Sequence, residues 1–485
     1  MKLKLTTLTG LIVLTACAAA SPEATVIVPV AASPTYYANI QPIVAQHCVS
    51  CHQTGVGAPF SLNSYRDVEK HGQQIALTVG SRCMPPWKPD SHGELVDENR
   101  LSASEIVLFQ KWSDSGAKAG DPRDARPSPA VSRDNLGPPD AVLSPSKPVN
   151  ILADGPDFYQ CFVLPTHFTG GKYLSAIVFK PGNPNTDDHA LEYLDPQKRI
   201  RLINSVLPGY GFTVARSTTG LQPSMVIGGW GICTTPQRFP NGAGIFLPQG
   251  SDLVLEVHYH STGKPEQDLP KVQLYFCKGP VDQQVRVAPV TGSQFRLNTR
   301  RFMPGMPVGG QRPLVSSISI LGVLPYMRSQ GSSIKLGILR SDKSQNTLFN
   351  IPSWDFDWIG DYRFKTPVRV SSGSLLLMSA NFGAMHQEPV STSYNNRGIT
   401  TWGDTLNDEN AAVYVFYTTD REHLKQNLPA DGIPALGGAN NAALDRILLD
   451  MFDTNQDGRI DSQEQQAMRS IFGPNMPHTS GMDLM

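Results

Sequence analysis

The chain has 485 residues and sets 41 Lys and Arg against 42 Asp and Glu, a formal charge of −1; at roughly 100–200 residues per domain this length predicts about three domains. With 17 % charged residues it offers no large field to a polyanion, which argues against a nucleic-acid binder, and 40 % hydrophobic content argues against a disordered tail protein. Gly 42 and Pro 40 exceed what helix interiors tolerate, so an all-α chain is excluded and strands joined by turns are expected to dominate.

Lys2 and Lys4 precede an apolar stretch that runs through Leu14 and ends in Leu14-Thr15-Ala16-Cys17. A charged start and an apolar run too short to span a bilayer predict a signal peptide over 1–16. The small residues before Cys17 resemble a bacterial lipobox, in which Cys17 carries the lipid and becomes the mature N-terminus. The expectation is an exported, membrane-anchored lipoprotein facing the periplasm, with 17–35 as its lipidated tether. An ordinary signal peptide with an incidental cysteine is the alternative.

The first compact unit is expected over 36–121. Cys48-Val49-Ser50-Cys51-His52 is a C-x-x-C-H segment, in which two thiols add across the haem vinyl groups and the histidine ligates iron. A local disulfide or redox pair beside an unrelated histidine is the competing reading. Low-spin haem needs a sixth ligand, and Met84 in Arg82-Cys83-Met84-Pro85-Pro86-Trp87 is the candidate, unless it is a buried core methionine. Ser102-Ala103-Ser104-Glu105 predicts a capping box that opens a helix with Ile106, Phe109 and Trp112 on its apolar face. With the helix before His47, two helices would cross over the haem edge, and the unit resembles an all-α class I cytochrome c domain.

From 122 to 149 prolines recur without hydrophobic periodicity, which predicts a linker. Short β-branched or alternating runs follow, such as Leu253-Val254-Leu255-Glu256-Val257 and Ala411-Ala412-Val413-Tyr414-Val415-Phe416. They predict two antiparallel, jelly-roll-like β-sandwiches over 150–288 and 289–420. A second linker, 421–439, leads to a short helical tail over 440–472. There Asp453, Asn455, Asp457, Arg459 (through its carbonyl), Asp461 and Glu464 fall at the ligand positions of an EF-hand loop, with Gly458 at its bend. Alternating oxygen donors closed by a bidentate glutamate make a cage for Ca2+. A single such loop reads as a structural site rather than a sensor.

Together with the haem motif and Met84-Pro85-Pro86-Trp87, several strings carry a resemblance over about residues 36–420: Tyr159-Gln160-Cys161-Phe162-Val163-Leu164-Pro165, Phe179-Lys180-Pro181-Gly182, Asp188-His189-Ala190-Leu191, Val257-His258-Tyr259-His260, Ile351-Pro352-Ser353-Trp354-Asp355-Phe356 and Trp402-Gly403-Asp404. In order and spacing they resemble a bacterial family in which cytochrome c precedes a copper type II, ascorbate-dependent monooxygenase module similar to peptidylglycine monooxygenase. The resemblance implies one copper on each sandwich.

The family's first centre takes a His-His pair and a third histidine from the Val-His-Tyr-His strand. Here the pair is Asp188-His189, so the candidate copper ligands are His189, His258 and His260, the last two on one strand face. The second centre takes two histidines from a Pro-His-Met-His segment and a methionine from an Asp-Glu-Met segment; this chain has Pro325-Tyr326-Met327-Arg328 and Asp408-Glu409-Asn410. Met385-His386 is the one nearby pair that could replace them. Of Cys83, Cys161, Cys233 and Cys277, three lie in the first sandwich, so one bridge with a leftover thiol is the simplest count, its pairing open.

The expected function is electron transfer by haem c in a lipoprotein carrying a monooxygenase-like module with degenerate copper ligands. Its cofactors would be haem c, Ca2+ and Cu at the first sandwich, and its partners a redox protein or small reductant and, through the lipid, a membrane. Active haem-fed copper hydroxylation of an organic substrate is the alternative, with no catalytic residue assigned. A non-catalytic binding module is the second alternative.

Overall fold

The structure is a computed structural model that describes residues 34–53, 58–126, 136–198, 200–201, 212–214, 226–232, 234–291, 306–328, 330–383, 401–402, 408–426, 448–449, 451–455 and 459–472. The expected signal peptide, Cys17, Cys233, His386 and Asp457 lie outside the described residues.

Four helices come first: α1 (Gln41–His47), α2 (Tyr65–Lys70), α3 (Gly72–Gly80) and α4 (Ala103–Asp114). Pro42 in the first turn of α1 gives up only an amide that has no helical partner there. The predicted capping box is formed at α4, where Ser102 accepts from the Glu105 amide and the Glu105 carboxylate accepts from the Ser102 amide. Ile106, Phe109 and Trp112 recur at helical spacing and bury one face against Ile40, Val44, Val68, Ile75 and Val79. Gly72 of α3 lies against Trp112, and an added Cβ would meet the indole at 3.4 Å, an ordinary contact.

The strands of the first β unit are β1 (Ala141–Leu143), β2 (Val149–Ile151), β3 (Phe158–Pro165), β4 (Lys172–Lys180), β5 (Asp187–Asp195), β6 (Phe212–Val214), β7 (Val226–Gly231), β8 (Ala243–Leu247), β9 (Asp252–Tyr259), β10 (Glu266–Asp268), β11 (Lys271–Phe276) and β12 (Gln283–Gln284). One sheet runs β1-β11-β4-β8-β12 and a second β6-β3-β9-β5-β7, while β10 pairs with β2. The two five-stranded sheets meet where Phe179 of β4 packs on Trp230 of β7, ring centroids 4.8 Å apart. Ala141–Leu143, inside the proline-rich stretch, pairs antiparallel with β11 and belongs to the first sheet.

The second unit is built from β13 (Arg286–Thr291), β14 (Met306–Pro313), β15 (Ile318–Met327), β16 (Gly331–Leu339), β17 (Gln345–Ile351), β18 (Tyr362–Val370), β19 (Leu375–Phe382), β20 (Thr401–Trp402), β21 (Asp408–Glu409) and β22 (Ala411–Thr419). Its third sheet runs β13-β22-β15-β18 and its fourth β14-β19-β16-β17. The two units share one core. Arg363 of β18 is held between Phe239 of the first unit and Phe416 of β22, 4.3 and 3.9 Å from their ring centres. The last described helix is α5 (Ser462–Phe472).

The expectation of an all-α cytochrome c domain standing beside two sandwiches is overturned. Strand outweighs helix, 40 % against 18 %, and the helices are few. The reason lies between α3 and α4, where Pro85, Pro86 and Pro89 bar a helix. That segment leaves the helical cluster and lies on the second β unit. Leu95 bridges to Phe364 and is buried in the shared β core. Asp90 and Val96 donate their amides to the carbonyls of Asn350 and Arg363, and Lys365 donates to Glu94. Lys88 pairs with Asp355 at 2.7 Å. The helices form a cap stitched to a β body.

Candidate metal centre and haem segment

At the end of α1 the chain turns so that the amides of Cys51 and His52 both donate to the Cys48 carbonyl, at 3.1 and 2.9 Å. His52 Nδ1 lies 3.0 Å from the Phe60 carbonyl. A carbonyl only accepts, so the ring proton sits on Nδ1 and Nε2 keeps its lone pair. Burial lowers the His52 pKa, although the Phe60 hydrogen bond works the other way, so the ring is held neutral. That is the tautomer an axial ligand needs. Cys48 is free, and burial, with Glu105 adding, pushes its thiol up to about 12. Met84 is half-buried and is not part of the helical core. The core reading of Met84 therefore loses its basis.

Cys51 is disulfide-bonded, whereas Cys48, Cys83, Cys161 and Cys277 are in no disulfide. A sulfur in a disulfide cannot also form a thioether. His52 and Cys48 thus fit a covalent haem as they stand, and Cys51 fits once reduced. The bridge expected within the first sandwich does not form. Cys161 Sγ faces Glu256 at 3.7 Å and Cys277 Sγ faces the Ala243 carbonyl at 3.4 Å, which leaves two of the three cysteines as thiols.

The other cluster sits on the second sheet, where register places Tyr159 opposite His258 and His258 opposite His189. Three strands therefore put Tyr159, His258 and His189 in one row, with ring centroids 4.6 and 4.8 Å apart. Between Asp187 and His189 the register against β9 shifts by one residue, and Asp188 is the extra one. A bulge of this kind re-aims a side chain. Here it turns the Asp188 carboxylate onto Nδ1 of His258 at 3.0 Å and Nδ1 of His260 at 2.7 Å. Burial pushes that carboxyl up, but the hydrogen bonds and charges of the two imidazoles outweigh it and hold it well below the usual range. In return the Asp188 hydrogen bond raises His260. With Nδ1 of both rings turned to Asp188, Nε2 of His258 faces Asp157 at 3.9 Å.

His189 is 2 % exposed, and neither ring nitrogen has a hydrogen-bond partner among the described residues. Burial, with His258 adding, keeps its pKa well below that of a free imidazole. A neutral, buried, unsatisfied imidazole is costly unless something binds it. Ligand atoms of Asp157, Asp188 and His258 lie within 4.8 Å of one another. This donor set of imidazole and carboxylate fits a divalent ion of the zinc, iron or manganese kind and fits Cu(I) poorly. Asp157 is the residue that sequence reasoning missed. It lies one residue before β3, and only the pairing of β3 with β9 brings it to His258.

The second unit closes over this row. Phe356 packs on His189 and His258 at 4.9 and 5.5 Å, and Tyr326 lies 6.3 Å from His189. Arg328, buried, places its guanidinium 5.5 Å from the Tyr159 ring. Tyr326 and Arg328, which stand where the resemblance implies a second copper, thus fill the space beside the first cluster with a phenol and a cation.

In the acidic loop, Glu464 is turned inward and 4 % exposed. Its carboxylate accepts from the Thr454 amide at 2.6 Å and the Asp461 amide at 3.0 Å. Asp461 accepts from the amides of Gln463 and Glu464 and so caps α5. Asp453, Asn455 and Arg459 are at the loop's two ends, each in contact with other groups.

No family model matches the chain, and no curated protein matches it. Among solved structures it is similar to peptide-N(4)-(N-acetyl-beta-D-glucosaminyl) asparagine amidase, at 11 % identity over 58 % of this chain and 96 % of that one, with a TM-score of 0.25. It is also similar to the VP2 subviral particle of infectious bursal disease virus, at 10 % identity over 60 % and 74 % with a TM-score of 0.16. At these scores neither likeness carries an argument about fold or activity.

Proposed function

We propose that the chain is an exported electron carrier that holds haem c in its helical cap and a divalent metal ion on its β body. The observation that carries this reading is the C-x-x-C-H segment with His52 Nδ1 engaged by the Phe60 carbonyl. When bound, haem c supplies a one-electron couple. The chain's own part is to fix the His52 ring, to offer Cys48 and reduced Cys51 as the attachment thiols, and to offer Met84 for the sixth position. A redox protein or small reductant would exchange the electron. The β body supports the carrier, and Asp188 locks two of its imidazoles against the movement that a cycling copper demands.

The test is expression in a host that attaches haem c, followed by a pyridine haemochrome spectrum of the denatured chain and metal analysis. Haem that stays with the chain through acidic acetone, together with at most one zinc, iron or manganese and no copper, is the expected result. Haem that extracts would overturn the carrier. Two coppers per chain, with oxygen consumed in proportion to a hydroxylated product, would install the monooxygenase reading instead.

A further inference from the structure

Strands β16 and β19 are buried along one face and, at the end where Leu339 pairs with Leu375, on the other as well. Ile334, Leu336 and Ile338, with Leu376, Met378, Ala380 and Phe382, point into the shared core. The opposite face carries Leu339 and Leu375, both fully buried, with Leu377 partly so. Their cover is the C-terminal tail: Leu448, Met451, Phe452, Ile460 and Met468, each at most 4 % exposed. Beyond the tail the same sheet face turns polar, and Lys335, Gln345, Thr347 and Ser379 line an open groove of about 280 Å3. The apolar patch is thus confined to the area that the tail covers.

Docking and calcium loop meet in single residues. Ile460 lies inside the loop and is buried in this cluster. On α5, Glu464 and Met468 are four apart and share a face. Met468 packs in the cluster while Glu464 reaches back across the loop to Thr454. Seating α5 on the sheet therefore aims the glutamate that closes the cage. In sensor EF-hands the apolar side of the helix pair opens to an outside partner. Here a sheet of the same chain already covers it.

We propose that calcium binding by the loop and docking of the tail on the fourth sheet are two halves of one equilibrium, the sheet taking the place of a second EF-hand. Linkage is reciprocal, so calcium tightens docking by the factor by which docking tightens calcium, and a variant that undocks the tail binds calcium more weakly. This inference is independent of the haem and of the histidine cluster.

The experiment uses the full chain, stripped with chelator and titrated with calcium chloride in a calorimeter. Wild type is expected to bind one calcium, and Leu375→Ala and Leu448→Ala, neither of them a loop residue, to bind it about tenfold more weakly. Hydrogen exchange over α5 is expected to speed on chelation, and in Glu464→Gln to stay fast at calcium levels that saturate the wild type. Leu448→Ala carries the test alone if Leu375→Ala does not fold. Absence of calcium heat in the wild type, unchanged affinity in a folded variant whose α5 exchange is fast without calcium, or α5 exchange indifferent to chelator would each overturn the proposal.

Discussion

Glu192 is 2 % exposed on β5, and it has room there because its cross-strand partner is Gly228, where a Cβ would lie 2.8 Å from Glu192 Oε2. Burial, with Asp361 nearby, pushes its carboxyl from 4.5 up to about 8. The folded state therefore keeps a proton that the unfolded chain has lost. Below pH 4.5 both states hold it and there is no penalty. Between 4.5 and 8 the fold loses about 1.4 kcal/mol per pH unit, about 5 kcal/mol in all, and above 8 the loss levels off. Glu192→Gln removes the titration and keeps the shape of the neutral acid. Its new amide donors lack partners, so at pH 4, where neither state has lost the Glu192 proton, the variant should be about 1 kcal/mol less stable than wild type. By pH 8 it should be more stable by several kcal/mol. Urea unfolding from pH 4 to 9, followed by tryptophan emission, measures the difference. Asp187, pushed up to about 9 by burial and Asp268, slopes the same way but is present in both chains and cancels. Parallel profiles for the two proteins would refute the reasoning.

Phe109→Ala empties the centre of the helical cap, where Phe109 is fully buried, and should cost about 3–5 kcal/mol in a denaturant melt. Ser102→Ala breaks the capping box at α4 and should cost about 1 kcal/mol by the same measurement. His52→Ala should abolish the visible haem spectrum while leaving the far-ultraviolet spectrum of the β body unchanged. Asp188→Ala frees His258 and His260 to turn and should weaken zinc binding by about 10- to 100-fold in a competition titration, with unchanged zinc affinity counting against the cluster as a metal centre.

What could be read from the chain divides by range. The α4 capping box and its apolar spacing are local, and so are the alternating runs that became β9 and β22. Leu375-Leu376-Leu377-Met378 shows no alternation because both faces of β19 are covered at that end, and nothing local tells which leucine meets the tail. The histidines were visible as types, but their row depends on the pairing of β3, β9 and β5 and on a one-residue bulge at Asp188. A C-x-x-C-H segment looks the same whether its second thiol is free or bridged. The span from Pro85 to Asn99 carries no hydrophobic period that would tell where it lies. Its place is set by hydrogen bonds to residues more than 250 positions away, such as Lys88 to Asp355.

Those stitches bear on how the protein can be handled. A fragment cut at the end of α4 would take Leu95 away from Phe364, leave Lys88 without its acid, and carry an apolar loop into water. Excised that way, the cap should aggregate or lose the arm that presents Met84, whereas a chain retaining residues through β22 keeps its anchorage. Were the proposed haem to sit in the cap, the same lacing would turn distance into a constant, since the cap rides on the β body instead of swinging from it. Exchange rates should then respond little to solvent viscosity.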